Sequence, residues 1–199
     1  MKLYIFTVIL VMLLSGCTSP TPSITEYRVV SDNIFLDTNA SKCSDKSLKV
    51  SEAFSSSALM SLDMNYATNV NKQFTYSQSQ WSASPNSAIT SEIVKLIRDI
   101  NIFKTVQISK SRTRNDMILE ISIDDFMQYF TKENKQSFVN VRITLTLVDS
   151  KTSVATATKT FEVKIDSKTL DAEGGVEALN VALHKILLQS AKWIGGVCI

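Results

Sequence analysis

The chain has one histidine, five glycines, three prolines and three cysteines in 199 residues. A single histidine, His184, leaves little room for a Ser-His-Asp arrangement, and no second His or spaced Cys stands at metal-ligand distance from it. We read it as a bland residue within a helix. Gly-x-Ser-x-Gly does not occur, which removes the usual nucleophile turn of serine hydrolases. Gly174-Gly175 lacks the spacing and the lysine of a phosphate loop, and reads as a turn. Scarce Gly and Pro argue against low-complexity disorder outside a tether. An excess of one charge is also missing. Without Lys2, twenty basic residues face nineteen acidic ones. That balance excludes the basic stripe of a nucleic-acid binder and strong attraction to charged headgroups. No cofactor motif is present. The composition and motifs therefore point to a non-enzymatic protein.

A long apolar run is absent too. The longest, Leu3 to Leu14, has 12 residues. At 1.5 Å per residue it would span roughly 18 Å, well short of a bilayer core of ~30 Å. It follows Lys2 and precedes Leu14-Ser15-Gly16-Cys17. A positive start, an apolar segment and small residues before a cysteine describe a bacterial lipoprotein signal, cut between Gly16 and Cys17. Cys17 would then carry a diacylglycerol, and its freed amine an acyl chain. Thr18 follows where an Asp would commonly favour retention in the inner membrane. The expected location is the periplasmic face of the outer membrane, with the inner membrane as the alternative. An ordinary secretory signal and an uncleaved anchor are the competing readings.

Residues 1–16 are thus a signal, 17–46 a lipidated tether and 47–199 one domain. The tether is rich in Ser, Thr, Pro, Asn and Asp. Fully extended, about 30 residues reach roughly 100 Å. Tyr27-Arg28-Val29-Val30 and Ile34-Phe35-Leu36 interrupt it with a weakly ordered piece able to dock on the domain. Asn39, in Asp37-Thr38-Asn39-Ala40-Ser41, is a glycosylation candidate because an acidic residue stands two before the Asn. Chance occurrence is the other reading. Cys43 and Cys198 form an even pair in an oxidising compartment. They are a disulfide candidate, with two buried thiols as the alternative.

The element order is α+β. A first strand runs from Leu48 to Phe54. A hairpin follows, from Met60 to Ala67 and from Gln73 to Ser77. Ser84 is a candidate cap and Pro85 the first helical residue, with Ile89, Ile93, Leu96, Ile97 and Ile100 at helical spacing. A short strand around Phe103 and Val106 comes next. Three long alternating strands then cover Leu119 to Ile123, Val139 to Leu147 and Val154 to Ile165. Lys159 breaks the apolar phase of the last, through a sheet edge or a local irregularity. A closing helix spans Asp171 to Trp193. We expect two layers: a mostly antiparallel sheet of about six or seven strands against two helices.

Asp124 and Asp125 are adjacent on a strand, so they point to opposite faces and cannot act together unless a bulge intervenes. Trp81 is read as a plug over the first helix or as a binding aromatic. Phe126, Tyr129 and Phe130 sit where alternation fails. They are partner-contact candidates, with a hairpin core as the competing reading.

From Leu48 to Trp193 the order resembles the ABC-type transport auxiliary lipoprotein family, which includes the lipoprotein of the paraquat-inducible system. The resemblance rests on a first strand after a lipid tether and on Phe74-Thr75-Tyr76-Ser77-Gln78-Ser79-Gln80-Trp81. It also rests on Pro85-Asn86 opening a helix that exits through Ile102-Phe103-Lys104-Thr105-Val106. Tyr27-Arg28-Val29 only approximates the family's Tyr-x-Leu opening. The family implies a non-enzymatic component of a lipid-transport ABC system. Its implied partners are a permease, an ATPase and a periplasmic cell-entry-domain protein. The alternative is a stand-alone outer-membrane scaffold or adhesin-type lipoprotein.

Overall fold

The computed structural model describes residues 22–34, 42–69, 71–133 and 135–198. Cys17 and Asn39 lie outside the described residues. Nine strands and two helices follow in the order β1 (Thr25–Tyr27), β2 (Ser47–Val50), β3 (Phe54–Ser55), β4 (Asp63–Asn69), β5 (Lys72–Trp81), α1 (Pro85–Asp99), β6 (Thr105–Ile108), β7 (Met117–Phe130), β8 (Ser137–Asp149), β9 (Val154–Asp166) and α2 (Ala172–Val197). The architecture is α+β, one sheet under two helices.

β7 is the spine. One edge pairs along its whole length with β8, which in turn pairs with β9, both antiparallel. The opposite edge is shared by three short strands. Leu48 to Val50 lie beside Met117 to Leu119, Phe54 and Ser55 beside Ser122 and Ile123, and Tyr66 and Ala67 beside Gln128 and Tyr129. All three pairings are parallel. The β1–β5 and β2–β6 pairings are parallel as well. The sheet is thus larger than six or seven strands, and only its long strands form the expected antiparallel meander. For the pairings with β6 and β7 the cause is topological: α1 lies between the early strands and these two, so the chain crosses over and returns in the same direction.

The core lies between the sheet and the helices. Val139, Val141, Ile143, Leu145 and Leu147 are buried on β8, because a period of two puts them all on one face. The α1 stripe of Ile89, Ile93, Leu96 and Ile97 and the α2 stripe of Val176, Leu179, Leu183, Ile186 and Leu187 cover that face. Ser84 makes no side-chain cap, contrary to expectation. Its carbonyl instead accepts from Ala88 N at 3.0 Å, as an ordinary first turn does. Past the end of α1, Asn101 takes φ 51°, the left-handed conformation that Asn tolerates after a helix. Asp171 caps α2 by accepting from Gly174 N at 2.9 Å.

Residues 25–34 are packed against the domain, not held apart from it. β1 adds to β5, with Thr25 beside Ser79 and Tyr27 beside Trp81. The chain then follows α2 in the same direction. Asn180 clamps its backbone, accepting from Val30 N at 3.1 Å and donating to Arg28 O at 3.2 Å. Val29 and Ile34 are buried. At the far end of α2, Cys43 is disulfide-bonded to Cys198, and Lys42 N donates to Cys198 O at 2.6 Å.

Candidate functional site

The bulge in β7 decides what its side chains do. Ile123 pairs with Ile143, but the next pair is Asp125 with Arg142. Asp124 is the extra residue. An extra residue shifts the alternation by one, so the buried phase moves from Leu119, Ile121 and Ile123 to Phe126 and Gln128. Both aspartates then fall on the helix-free face, as their partners show. Asp124 accepts from Ser122 Oγ at 2.8 Å and Thr144 Oγ1 at 3.0 Å, and Arg142 Nε lies 3.7 Å away. Asp125 accepts from Tyr129 Oη and Asn140 Nδ2, each at 2.8 Å. The expectation of opposite faces is therefore corrected by the bulge. Arg142 also donates to Glu162 at 3.0 Å.

Burial pushes the Asp125 carboxyl above its ordinary range, against the lowering effect of its two side-chain donors. A raised value means that the folded state binds the proton more tightly. Its contribution to stability is present below the usual carboxylate pKa and declines as pH rises through the raised one. Asp125→Asn should therefore be more stable than the parent at neutral pH, with the gap closing towards pH 4. Urea midpoints of both proteins at the two pH values test this. The comparison must be a difference, because Asp116, Asp149 and Asp171 are all lowered by hydrogen bonds and have the opposite pH dependence.

The bulge also separates the three aromatic candidates. Phe126 is buried, 5.8 Å from the Trp81 ring, so it cannot meet a partner, and Trp81 is itself core. Tyr129 stacks on Phe138 at 5.4 Å on the helix-free face. Phe130 lies on the helix side, edge-on to Tyr66 at 5.4 Å. They are three environments and not one patch. The aromatic surface that does exist comes from the β4–β5 hairpin. Tyr66 stacks on Phe74 at 5.6 Å and meets Tyr76 at 4.5 Å. Phe74 is 46% exposed. Tyr76 Oη donates to Gln128 Oε1 at 2.9 Å, and Gln128 Nε2 donates to Ser137 Oγ at 3.0 Å. Burial raises the Tyr76 hydroxyl, which stays protonated as a donor.

Gly174 and Gly175 lie in the first turn of α2, not in a free turn. A Cβ on Gly175 would collide with Gln128 Oε1. Gln128 is buried and held at both ends, so it cannot simply swing away. Gly175→Ala should cost about 1–3 kcal/mol by overpacking, read as a lower urea midpoint. Full stability in the alanine variant would mean that the Gln128 network is dispensable.

His184 Nδ1 shares a hydrogen bond with Ser31 Oγ at 3.0 Å, so it helps to hold the docked N-terminal segment. Among the described residues no group of three His, Cys, Asp or Glu could hold a metal ion. An open groove of about 370 Å³ runs between α1 and the β2–β6 edge, with Glu52, Lys95, Arg98, Asp99 and Lys110 on its walls. Its charges of both signs do not converge on one ligand class. β9 pairs only with β8 among the described strands, leaving a 13-residue edge. Lys159 stands exposed on that edge with its ammonium 5.6 Å from the Phe161 ring, and so blunts further pairing.

No protein-family profile matches the sequence, and no curated protein matches it. Solved structures do match. A Xanthomonas campestris protein of the DUF330 family aligns with a TM-score of 0.74 at 17% identity, over 87% of this chain and 96% of that one. A second, an uncharacterised protein, aligns with a TM-score of 0.61 at 10% identity, over 85% and 99%. At these identities they establish a shared fold and nothing about activity. A Neisseria meningitidis lipoprotein, GNA1162, aligns with a TM-score of only 0.40 at 12% identity over 74% and 99%, too slight a likeness to carry an argument.

Proposed function

We propose that this chain is a lipid-anchored protein of the bacterial envelope that works by binding and not by catalysis. The observation that carries the reading is Leu14-Ser15-Gly16-Cys17 at the end of a short apolar segment. Among the described residues no helix is long and apolar enough to cross a membrane. Attachment through Cys17 supplies what the domain lacks. We propose the periplasmic face of the outer membrane as its place, on the residue after the cysteine.

The finer role is the auxiliary component of an ABC-type intermembrane lipid-transport system. The order of features from Leu48 to Trp193 supports it. In that role the acyl chains hold the domain, and the domain docks a cell-entry-domain protein that works with a permease and an ATPase. The β9 edge, on either side of Lys159, is a surface available for contact. Acid–base chemistry is a weak competitor: Asp124 and Asp125 share a face, but neither lines the groove beside α1.

Two measurements test the reading. Intact mass of the mature protein should show three acyl groups on a chain starting at Cys17; a mass of unmodified polypeptide would remove the anchor. A further sugar increment would place glycan on Asn39, and its absence would remove that candidate. Co-purification with a permease, an ATPase and a cell-entry-domain protein encoded nearby should follow. Neighbouring genes for none of these would defeat the transport role and leave the anchor standing.

A further inference from the structure

We propose that the end of the molecule bearing the β4–β5 hairpin rests on the bilayer surface, with Ile24, Phe74 and Leu170 entering the headgroup region. The inference deepens the anchor reading and rests on it. It starts from where the chain leaves the fold. β1 begins at Thr25, beside Ser79, and runs parallel to β5. The chain therefore comes into β1 from the side of the hairpin tip. Thr25 lies eight positions after Cys17, a contour of at most about 28 Å. A tether of roughly 100 Å is thereby shortened to a quarter of its length.

The hairpin end is the one within reach. Phe74 precedes Ser79 by five residues, but β5 bulges there: Asp63 pairs with Gln80 and Asn65 with Thr75, so the stretch advances only about 10 Å along the sheet. If the approach to β1 is extended, about 18 Å of contour remains between the level of Phe74 and Cys17. The opposite end, with the Cys43–Cys198 bond, lies on the far side of Thr25.

Several elements converge on the near end. β4 and β7 run parallel, so the β4–β5 tip and the β7–β8 turn share it. β9 ends there, with Asp166 beside Phe138, and α2 starts there. The apolar side chains it leaves in water are large: Ile24 is 56% exposed, Phe74 46% and Leu170 48%. They come from three separate segments, so no single loop accounts for them. Lys72, Lys132, Lys135 and Lys168 at this end face Glu133, Asp166, Asp171, Glu173 and Glu177, so it carries no positive excess; Lys135 pairs with Glu133 at 2.7 Å and Lys168 with Glu177 at 3.0 Å. Apolar insertion, and not attraction to anionic lipid, is then the contact, to a depth of ~5–10 Å.

The test uses the full-length lipidated protein in vesicles of zwitterionic phosphatidylcholine brominated on the acyl chain. Phe74→Trp and Leu170→Trp report the near end, and Val154→Trp, 58% exposed at the other end, is the control. The parent, with Trp81 and Trp193, sets the baseline. The added emission of either near-end variant should shift to the blue and be quenched by brominated lipid, at low and high salt alike. The control should match the parent. Two independent probes guard against one variant failing to fold. Unquenched near-end probes in protein that still floats with vesicles would overturn the proposal and spare the anchor. A blue shift without quenching that grows with protein density would assign the patch to a second copy, and would overturn it too. Protein that carries no acyl chain and stays with no vesicle would overturn both readings, and intact mass identifies that case first.

Discussion

Replacing Cys17 with alanine is expected to move the protein from the membrane fraction to the soluble fraction while leaving it folded. The size of the effect follows from the chains lost. At ~0.8 kcal/mol per methylene, three chains of roughly fourteen methylenes each correspond to on the order of 30 kcal/mol of membrane binding. Ile24, Phe74 and Leu170 cannot replace that, since each buries only part of one side chain. Folding should be indifferent to the change. The packing begins at Thr25, and Val29, Ile34 and the Cys43–Cys198 bond lie further along the chain. Fractionation and far-ultraviolet circular dichroism check the two halves separately. An alanine variant that stays with the membrane would place the attachment elsewhere. Full complementation by the soluble variant would show that position on the membrane is not part of the function.

How far the fold could be read from the sequence depended on strand length. β8 declares itself: Val139, Val141, Ile143, Leu145 and Leu147 are apolar in strict alternation, and all five are buried. α2 does the same at the helical period, across a stripe wide enough to survive the polar residues between. β1 and β3, with three and two residues, are too short to carry any period. They exist because β5 and β7 offer them an edge, and that is a property of distant residues. The parallel pairings were hidden for the same reason. Alternation says which face a residue takes and nothing about which strand lies beside it.

The candidate site was harder to read. Alternation visibly fails between Ile123 and Phe126, and that failure is the trace of the bulge. Read as a clean strand, it set Asp124 and Asp125 on opposite faces. Read as the end of a strand, it grouped Phe126, Tyr129 and Phe130 into one patch. One extra residue, Asp124, undoes both readings. The docked N-terminal segment left a fainter signal. Val29 and Ile34 stand in two short apolar runs, Val29-Val30 and Ile34-Phe35-Leu36, which interrupt the polar tether but are too short to say where they dock. Asn180 makes the difference by pairing with the backbone of Arg28 and Val30, and backbone pairing leaves no mark on the sequence of the segment it holds.

Breaking the Cys43–Cys198 bond is expected to lower stability by about 2–5 kcal/mol. The bond closes a loop of 155 residues, and the chain-entropy estimate for that length is roughly 5 kcal/mol, an upper bound. Against a typical total of about 5–15 kcal/mol, the loss is a large fraction. Both cysteines are buried, so the variant to use is Cys43→Ala with Cys198→Ala, which avoids placing a hydroxyl in the core. Its urea midpoint should fall well below that of the oxidised parent, and the reduced parent should fall with it. A midpoint unchanged in both would show that the core alone fixes the end of α2. The bond also has a local consequence. The N-terminal segment is held at one end by β1 on β5 and at the other by Cys43 on α2, with Asn180 between. Releasing the second end should loosen the middle before the domain melts. The amide of Val30, which donates to Asn180, should therefore exchange faster with solvent in the reduced protein, while the amides of β8 keep their protection. Equal loss of protection at both places would mean that the segment and the sheet unfold as one unit, and that the bond braces the whole domain and not its strap.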